Sequence, residues 1–177
     1  PTDSLLGSNQ APIFAPLDPI SIEAQSIETM TELIIPRVSD NNVNLPLVST
    51  TDLGPYRLGI HQITWTAIDF AGNESSALQT LTVVDTSAPV FDPLIAVSID
   101  AQGRLTNVFD FINVEAHDLV DGKINARPIV NSQLKSGRHQ IELTASDLSG
   151  NTGATTIDLI IIPQLSLEPS VNVSAGG

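Results

Sequence analysis

A seven-residue motif occurs twice in this chain, and that repetition limits the fold more than any other feature. Ala67-Ile68-Asp69-Phe70-Ala71-Gly72-Asn73 returns 78 residues later as Ala145-Ser146-Asp147-Leu148-Ser149-Gly150-Asn151. Each copy ends an alternating apolar/polar run. Asp-x-x-Gly-Asn is turn chemistry: the glycine takes positive φ and the aspartate bonds nearby backbone N–H groups. Each copy is therefore expected to form the tip of a β-hairpin. The similarity extends outward. Residues 11–25 match 88–102 at nine of 15 positions, and 59–73 match 137–151 at nine of 15. The offset grows from 77 to 78, so the second copy carries one extra residue. Fixed-offset self-similarity marks a tandem duplication. The expected division is a leader at 1–10, one domain at 11–85, a second at 86–163 and a tail at 164–177.

Both copies read as strand. His61, Ile63, Trp65 and Ala67 fall on one side of an extended segment, with Gln62, Thr64 and Thr66 on the other. Leu81 and Val83 alternate with Thr80 and Thr82. In the second copy Ile141, Leu143 and Ala145 alternate with Gln140, Glu142 and Thr144. Twelve prolines oppose long helices. Short strands separated by turn signals predict an all-β chain of two tandem β-sandwiches. A copy of about 75 residues buries only somewhat over 60% of its unfolded surface, so each is expected to be modestly stable.

The charge balance excludes several partners. Twenty acidic residues against seven basic ones give −13. Nucleic acid and anionic membrane surfaces both call for a basic face. No apolar run approaches the roughly 20 residues of a membrane helix, so no membrane insertion is expected in this segment. The absence of cysteine excludes disulfides and thiolate metal sites. The chain starts at Pro1 and ends in Gly176-Gly177, which suits an excerpt of a longer protein; the two glycines could precede a surface-sorting signal.

Certain motifs resemble hyalin-repeat (HYR) domains. These are the opening Ala-Pro-x-Phe of each copy, the loops at Asp40-Asn41 and Val120-Asp121-Gly122, and Thr-Ala-x-Asp-x-x-Gly-Asn. The last motif is shared with other bacterial Ig-like modules. The resemblance covers roughly 150 residues and implies an all-β chain of two tandem immunoglobulin-like, Greek-key β-sandwiches of secreted or cell-surface proteins, bacterial ones included. HYR domains often carry cysteines in two core strands; here those slots look to be filled by residues such as Trp65 and Leu143. The junction at 83–91 also resembles the linker of cadherin repeats, which bind Ca²⁺ between domains, although it lacks their full acidic run.

On an Ig sandwich the B–C and F–G loops share a pole with the start of the first strand. That placement would gather Asp85 from the linker, Asp118 and Asp121 from the B–C loop, and Asp147 with Asn151 from the F–G tip; the next strand starts near Asp92. Ca²⁺ takes about 6–8 oxygen ligands, and clustered carboxylates repel without a cation. The same residues also serve as ordinary turn formers. Asp40 and Asp69 form the weaker counterpart in the first copy. His61 and His139 are equivalent and suit packing or capping better than zinc, because neither copy offers two histidines at ligand spacing. No Gly-x-Ser-x-Gly, His-Glu-x-x-His or phosphate loop appears, so no enzyme is expected. The expected role is an adhesion or spacer module, extracellular or at the cell surface. Its partners would be neighbouring domains of a longer chain, another surface protein or a polysaccharide. The alternative is an accessory carbohydrate-binding module of a secreted enzyme, for which Tyr56 is the ring expected to be exposed.

Overall fold

The computed structural model describes residues 10–41 and 44–165. The expected leader up to residue 9, and the tail from 166 with Gly176-Gly177, lie outside the described residues. The chain forms two compact units. The first runs to Ser87 and takes in Leu119–Asp121; the second comprises Ala88–Asp118 and the chain from Gly122 onward. Both are immunoglobulin-like β-sandwiches, and the expected fold class holds.

In the first unit β1 (Ile13–Phe14) pairs antiparallel with β3 (Val38–Ser39). The facing sheet has the order β2-β6-β5-β4, from Ile20–Glu23, Glu74–Val84, Gly59–Ile68 and Leu47–Thr50. β2 runs parallel to β6, while the other pairs are antiparallel. An isolated antiparallel bridge joins Thr29 and Tyr56 outside these strands. The inward parity read from β5 holds: Ile63, Trp65 and Ala67 are fully or almost fully buried, as are Leu81 and Val83 across the ladder. Burying each of the larger apolar side chains contributes about 1.5–3 kcal/mol.

In the second unit β7 (Val90–Phe91) pairs with β10 (Glu115–Asp118), which also pairs with β11 (Gly122–Asn125). The facing sheet has the order β12-β14-β15-β8, from Arg127–Pro128, Gly137–Ser146, Thr152–Ile162 and Val97–Asp100. β8 is again the parallel strand. β9 (Thr106–Asn107) pairs with β13 (Gln133–Leu134), the counterpart of the Thr29–Tyr56 bridge. The extra residue of the second copy falls where the chain winds into a 3₁₀ turn, Val108–Asp110. That turn puts Val108 fully inside a core with Ile112, Ile141, Leu143 and Leu159.

Two buried hydroxyls recur at the same place. Thr29 Oγ1 accepts from the Gln25 N–H at 2.9 Å, and Thr106 Oγ1 accepts from the Gln102 N–H at 3.1 Å. Both threonines are almost fully buried. Each ties off the irregular stretch after the parallel strand with a bond that periodicity does not announce.

Candidate functional site: an acidic group at the B–C loop

The two hairpin tips are built as their sequence predicts. Gly72 and Gly150 hold φ of 89° and 94°, a region where a Cβ is disfavoured. Asp69 Oδ1 accepts from the N–H groups of Ala71 and Asn73 at 2.9 and 2.8 Å, and Asn73 Nδ2 donates to Oδ2 at 2.8 Å. In the second tip Asp147 Oδ1 accepts from Asn151 N at 2.8 Å, and Asn151 Nδ2 donates to Oδ2 at 2.9 Å. Burial alone would raise the Asp147 carboxyl. Hydrogen bonds from Asn151, Gly150 and Ser149 outweigh it and hold the group below its ordinary 3.8. Both aspartates are buried and work as internal caps of their turns.

Two other carboxylates approach each other within the first unit. One oxygen each from Asp85 and Asp121 lie within 4.8 Å of one another. Asp85 follows the end of β6 and is buried; Asp118 and Asp121 are half-buried. Asp118 ends β10, and Asp121 precedes Gly122 in the tight turn to β11. Gly122 has φ of 73°, which lets the strand reverse within three residues. The Oδ2 atoms of Asp85 and Asp118 are shielded from solvent. Asp85 Oδ1 accepts from the Ser87 N–H at 3.2 Å. Beside Asp85 and Asp121 in the first unit sits Val120, which packs into the core cluster with Ala24, Tyr56 and Trp65. Its burial fixes the loop that carries Asp121. Sequence reading named the acidic loop residues and passed over this valine.

Asp147 is taken up in its own tip, where Asn151 donates to both of its oxygens. Asp92 instead lies 3.4 Å from His117, with both side chains largely exposed. Asp40 is half-buried, with its Oδ2 shielded; its neighbours Asn42 and Val43 lie outside the described residues. Position 85 minus the repeat offset is Ser8, so the first copy has no aspartate matching Asp85. His61 and His139 place Nε2 2.7 and 2.8 Å from the carbonyls of Arg57 and Lys135, the capping role expected of them. Tyr56 corrects an expectation. It is 5% exposed, lies in the core and donates its hydroxyl to the Asp52 carbonyl, so it offers no stacking platform for a sugar. Its loop position suggested exposure, but the bridge to Thr29 draws it inward.

The hydrogen-bonded carboxyls set an acid limit. Glu23 is lowered from 4.5, first by the Thr86 N–H. Glu115 is lowered from 4.5 by Lys123, whose Nζ sits 2.8 Å away, and Asp147 is lowered as above. A folded-state value below the unfolded one stabilises at pH above the ordinary value, and that gain disappears as pH falls through the folded value. The melting temperature should therefore hold from neutral pH to about 5 and fall progressively below about 4.5. Thermal melts at constant ionic strength check this; a level profile down to pH 3 contradicts it.

No protein-family model matches the chain. A curated relative, an uncharacterised 81.3 kDa protein of Acholeplasma phage L2, is 24% identical over 120 residues, which is 64% of this chain and 16% of the phage protein. The chain thus spans about a sixth of that relative. Among solved structures, Drosophila N-cadherin EC1-4 is 14% identical and covers 90% of this chain and 51% of its own, with a TM-score of 0.46. Mouse cadherin-23 EC22-24 is 16% identical, covers 89% of this chain and 66% of its own, and has a TM-score of 0.36. The fibronectin(III)-like modules of Clostridium thermocellum CbhA are 11% identical and cover 86% and 94%, at a TM-score of 0.28.

Proposed function

We propose that this chain is a non-enzymatic adhesion or spacer module of an extracellular or cell-surface protein, and that Asp85 and Asp121 hold a Ca²⁺ ion. The close approach of those two carboxylates carries the reading. Two unit charges at this separation repel by about 1 kcal/mol in bulk water and by about 3–4 at an effective dielectric near 20. A bound cation would offset that repulsion. The donors are all hard oxygens, which favours Ca²⁺ or Mg²⁺ over softer metals. Oxygens bound to one Ca²⁺ at about 2.3–2.6 Å lie at most about 5 Å apart, whereas Mg²⁺ at about 2.0–2.1 Å draws them within about 4.2 Å. A spacing within 4.8 Å is compatible with one Ca²⁺ ion. Backbone carbonyls and water would complete the shell. Asp147 and Asn151, engaged with one another, shape the neighbouring tip. An ion on Asp85 would stiffen the end of the first repeat, which suits a spacer or adhesive module. The neighbouring domains of a longer chain are its proposed partners.

With a Kd on the order of 10⁻⁴ M, 5 mM Ca²⁺ would stabilise the folded chain by about 2 kcal/mol. Melts in Ca²⁺ and in chelator should separate accordingly, Asp121→Asn should remove the separation, and Asp69→Asn should keep it. The reading is abandoned if the wild-type melt ignores millimolar Ca²⁺ while Asp121→Asn is more stable in both buffers. That pattern would describe plain repulsion.

A further inference from the structure

We propose that Glu23 is a clamp on the chain as it leaves the first repeat, its carboxylate holding Thr86 and Ser87 after strand pairing has ended. The parallel ladder of β2 and β6 ends with Glu23 opposite Val84, and the Ala24 N–H donates to the Val84 carbonyl at 2.7 Å. Beyond that point the Glu23 side chain takes over. Oε1 accepts from the Thr86 N–H at 2.7 Å and from Ser87 Oγ at 3.2 Å, and Oε2 accepts from Thr86 Oγ1 at 2.9 Å. Both oxygens of one carboxylate are thus committed to two consecutive residues 63 and 64 positions away. The Ser87 N–H meanwhile donates to Asp85 Oδ1. Backbone and side-chain donors of 86–87 are therefore tied to acidic acceptors at both ends of the segment. Charge-assisted bonds of this kind are about twice as strong as neutral ones.

The second repeat lacks the parts. Asp100 stands where the first has Glu23, one methylene shorter, and Gln164 and Leu165 stand where the first has Thr86 and Ser87. The clamp thus occurs in the repeat whose last strand leads directly into another domain of this chain. Its effect is to set the direction in which residues 85–87 depart and to limit their freedom. It requires no ion at Asp85, so it stands or falls separately from the cation reading.

Amide exchange in the full chain, without added divalent ions, tests it. Thr86 is exposed, so its N–H has no shelter from burial and its exchange rate reads the clamp directly. Glu23→Ala should speed Thr86 exchange at least tenfold while Ile63 and Leu81 in the core ladder keep their rates. Glu23→Gln, which retains one acceptor oxygen, should fall between. A Thr86 rate unchanged in Glu23→Ala with the core intact overturns the clamp. Should Glu23→Ala disturb the core, wild-type carbon-detected titration decides. The Glu23 carboxyl should titrate below 4.5 with the Thr86 amide shift following at the same midpoint, and a Thr86 shift that ignores that midpoint refutes the proposal.

Discussion

Gly153→Ala should lower the melting temperature of the second unit by about 12–24 °C and leave the first unit's transition in place. A Cβ built on Gly153 would lie 2.0 Å from the carbonyl oxygen of Pro89 and 3.1 Å from its carbon. Backbone faces it, so no side chain can rotate away. Gly153 is not among the glycines with positive φ, which means the residue is required for space and not for conformation. Overpacking typically costs about 1–3 kcal/mol, and a main-chain collision belongs at the upper end. At about 3 kcal/mol, a domain of this size loses about 4–8 °C per kcal/mol. The close approach seats the start of β7 on β15, just after residues 85–87. The equivalent residue in the first repeat is Ser75, and Ser75→Gly should cost only the backbone entropy of about 0.5–1 kcal/mol. Calorimetry resolving two transitions checks both variants. A Gly153→Ala protein within 1–2 °C of wild type would mean that Pro89 does not press on β15; equal losses in both transitions would mean the effect is not local.

Gly153 also shows where sequence reasoning stops. The hairpin tips were legible because Asp-x-x-Gly-Asn encodes a local conformation, and Gly72 and Gly150 adopt it. Strand parity in β5 and β14 was legible because a period of two is local as well. The change of offset from 77 to 78 announced an extra residue without locating it; the structure puts it beside the 3₁₀ turn at Val108–Asp110. Gly153, Val120 and the Glu23–Thr86 pair depend on residues far apart in the chain, and no periodicity carries that information. The acidic site follows the same division. Asp118 and Asp121 could be assigned to one loop from their spacing, and Asp85 to the junction. That a carboxylate oxygen of Asp85 lies within 4.8 Å of one of Asp121, while Asp147 turns to Asn151, is a tertiary outcome. Tyr56 was misjudged for the same reason, since its partner Thr29 lies 27 residues earlier.

The largest polar commitment in the first core predicts a measurable coupling. Trp65 Nε1 donates to Gln79 Oε1 at 2.9 Å, and Gln79 Nε2 donates to the Asp18 carbonyl at 2.8 Å. Trp65 is 2% exposed and Gln79 9%, so neither can substitute water for its partner. In the second repeat the same two positions hold Leu143 and Ile157, both buried and apolar. Two repeats of one fold thus fill the same space in different ways, and each solution is self-consistent. Gln79→Ile alone orphans the indole N–H and should cost about 1–3 kcal/mol. Trp65→Leu alone leaves a void and a stranded amide, and about 3 kcal/mol is expected from truncating a large buried aromatic. The double variant imports the second repeat's pair. It keeps the void but removes both members of the indole–amide bond, and the Asp18 carbonyl loses its donor equally in Gln79→Ile and in the double variant, so the loss should fall short of the sum by about 1–2 kcal/mol. Urea unfolding followed by amide protection in β5 and β6 supplies the four stabilities. In the wild type and Gln79→Ile, Trp65 is the only tryptophan in the chain, and its emission reports the first unit alone. A coupling energy within a few tenths of zero would mean that the indole and Gln79 contribute independently. The apolar pair of the second repeat would then be a drift in composition, and the two repeats would not be alternative solutions to filling one core.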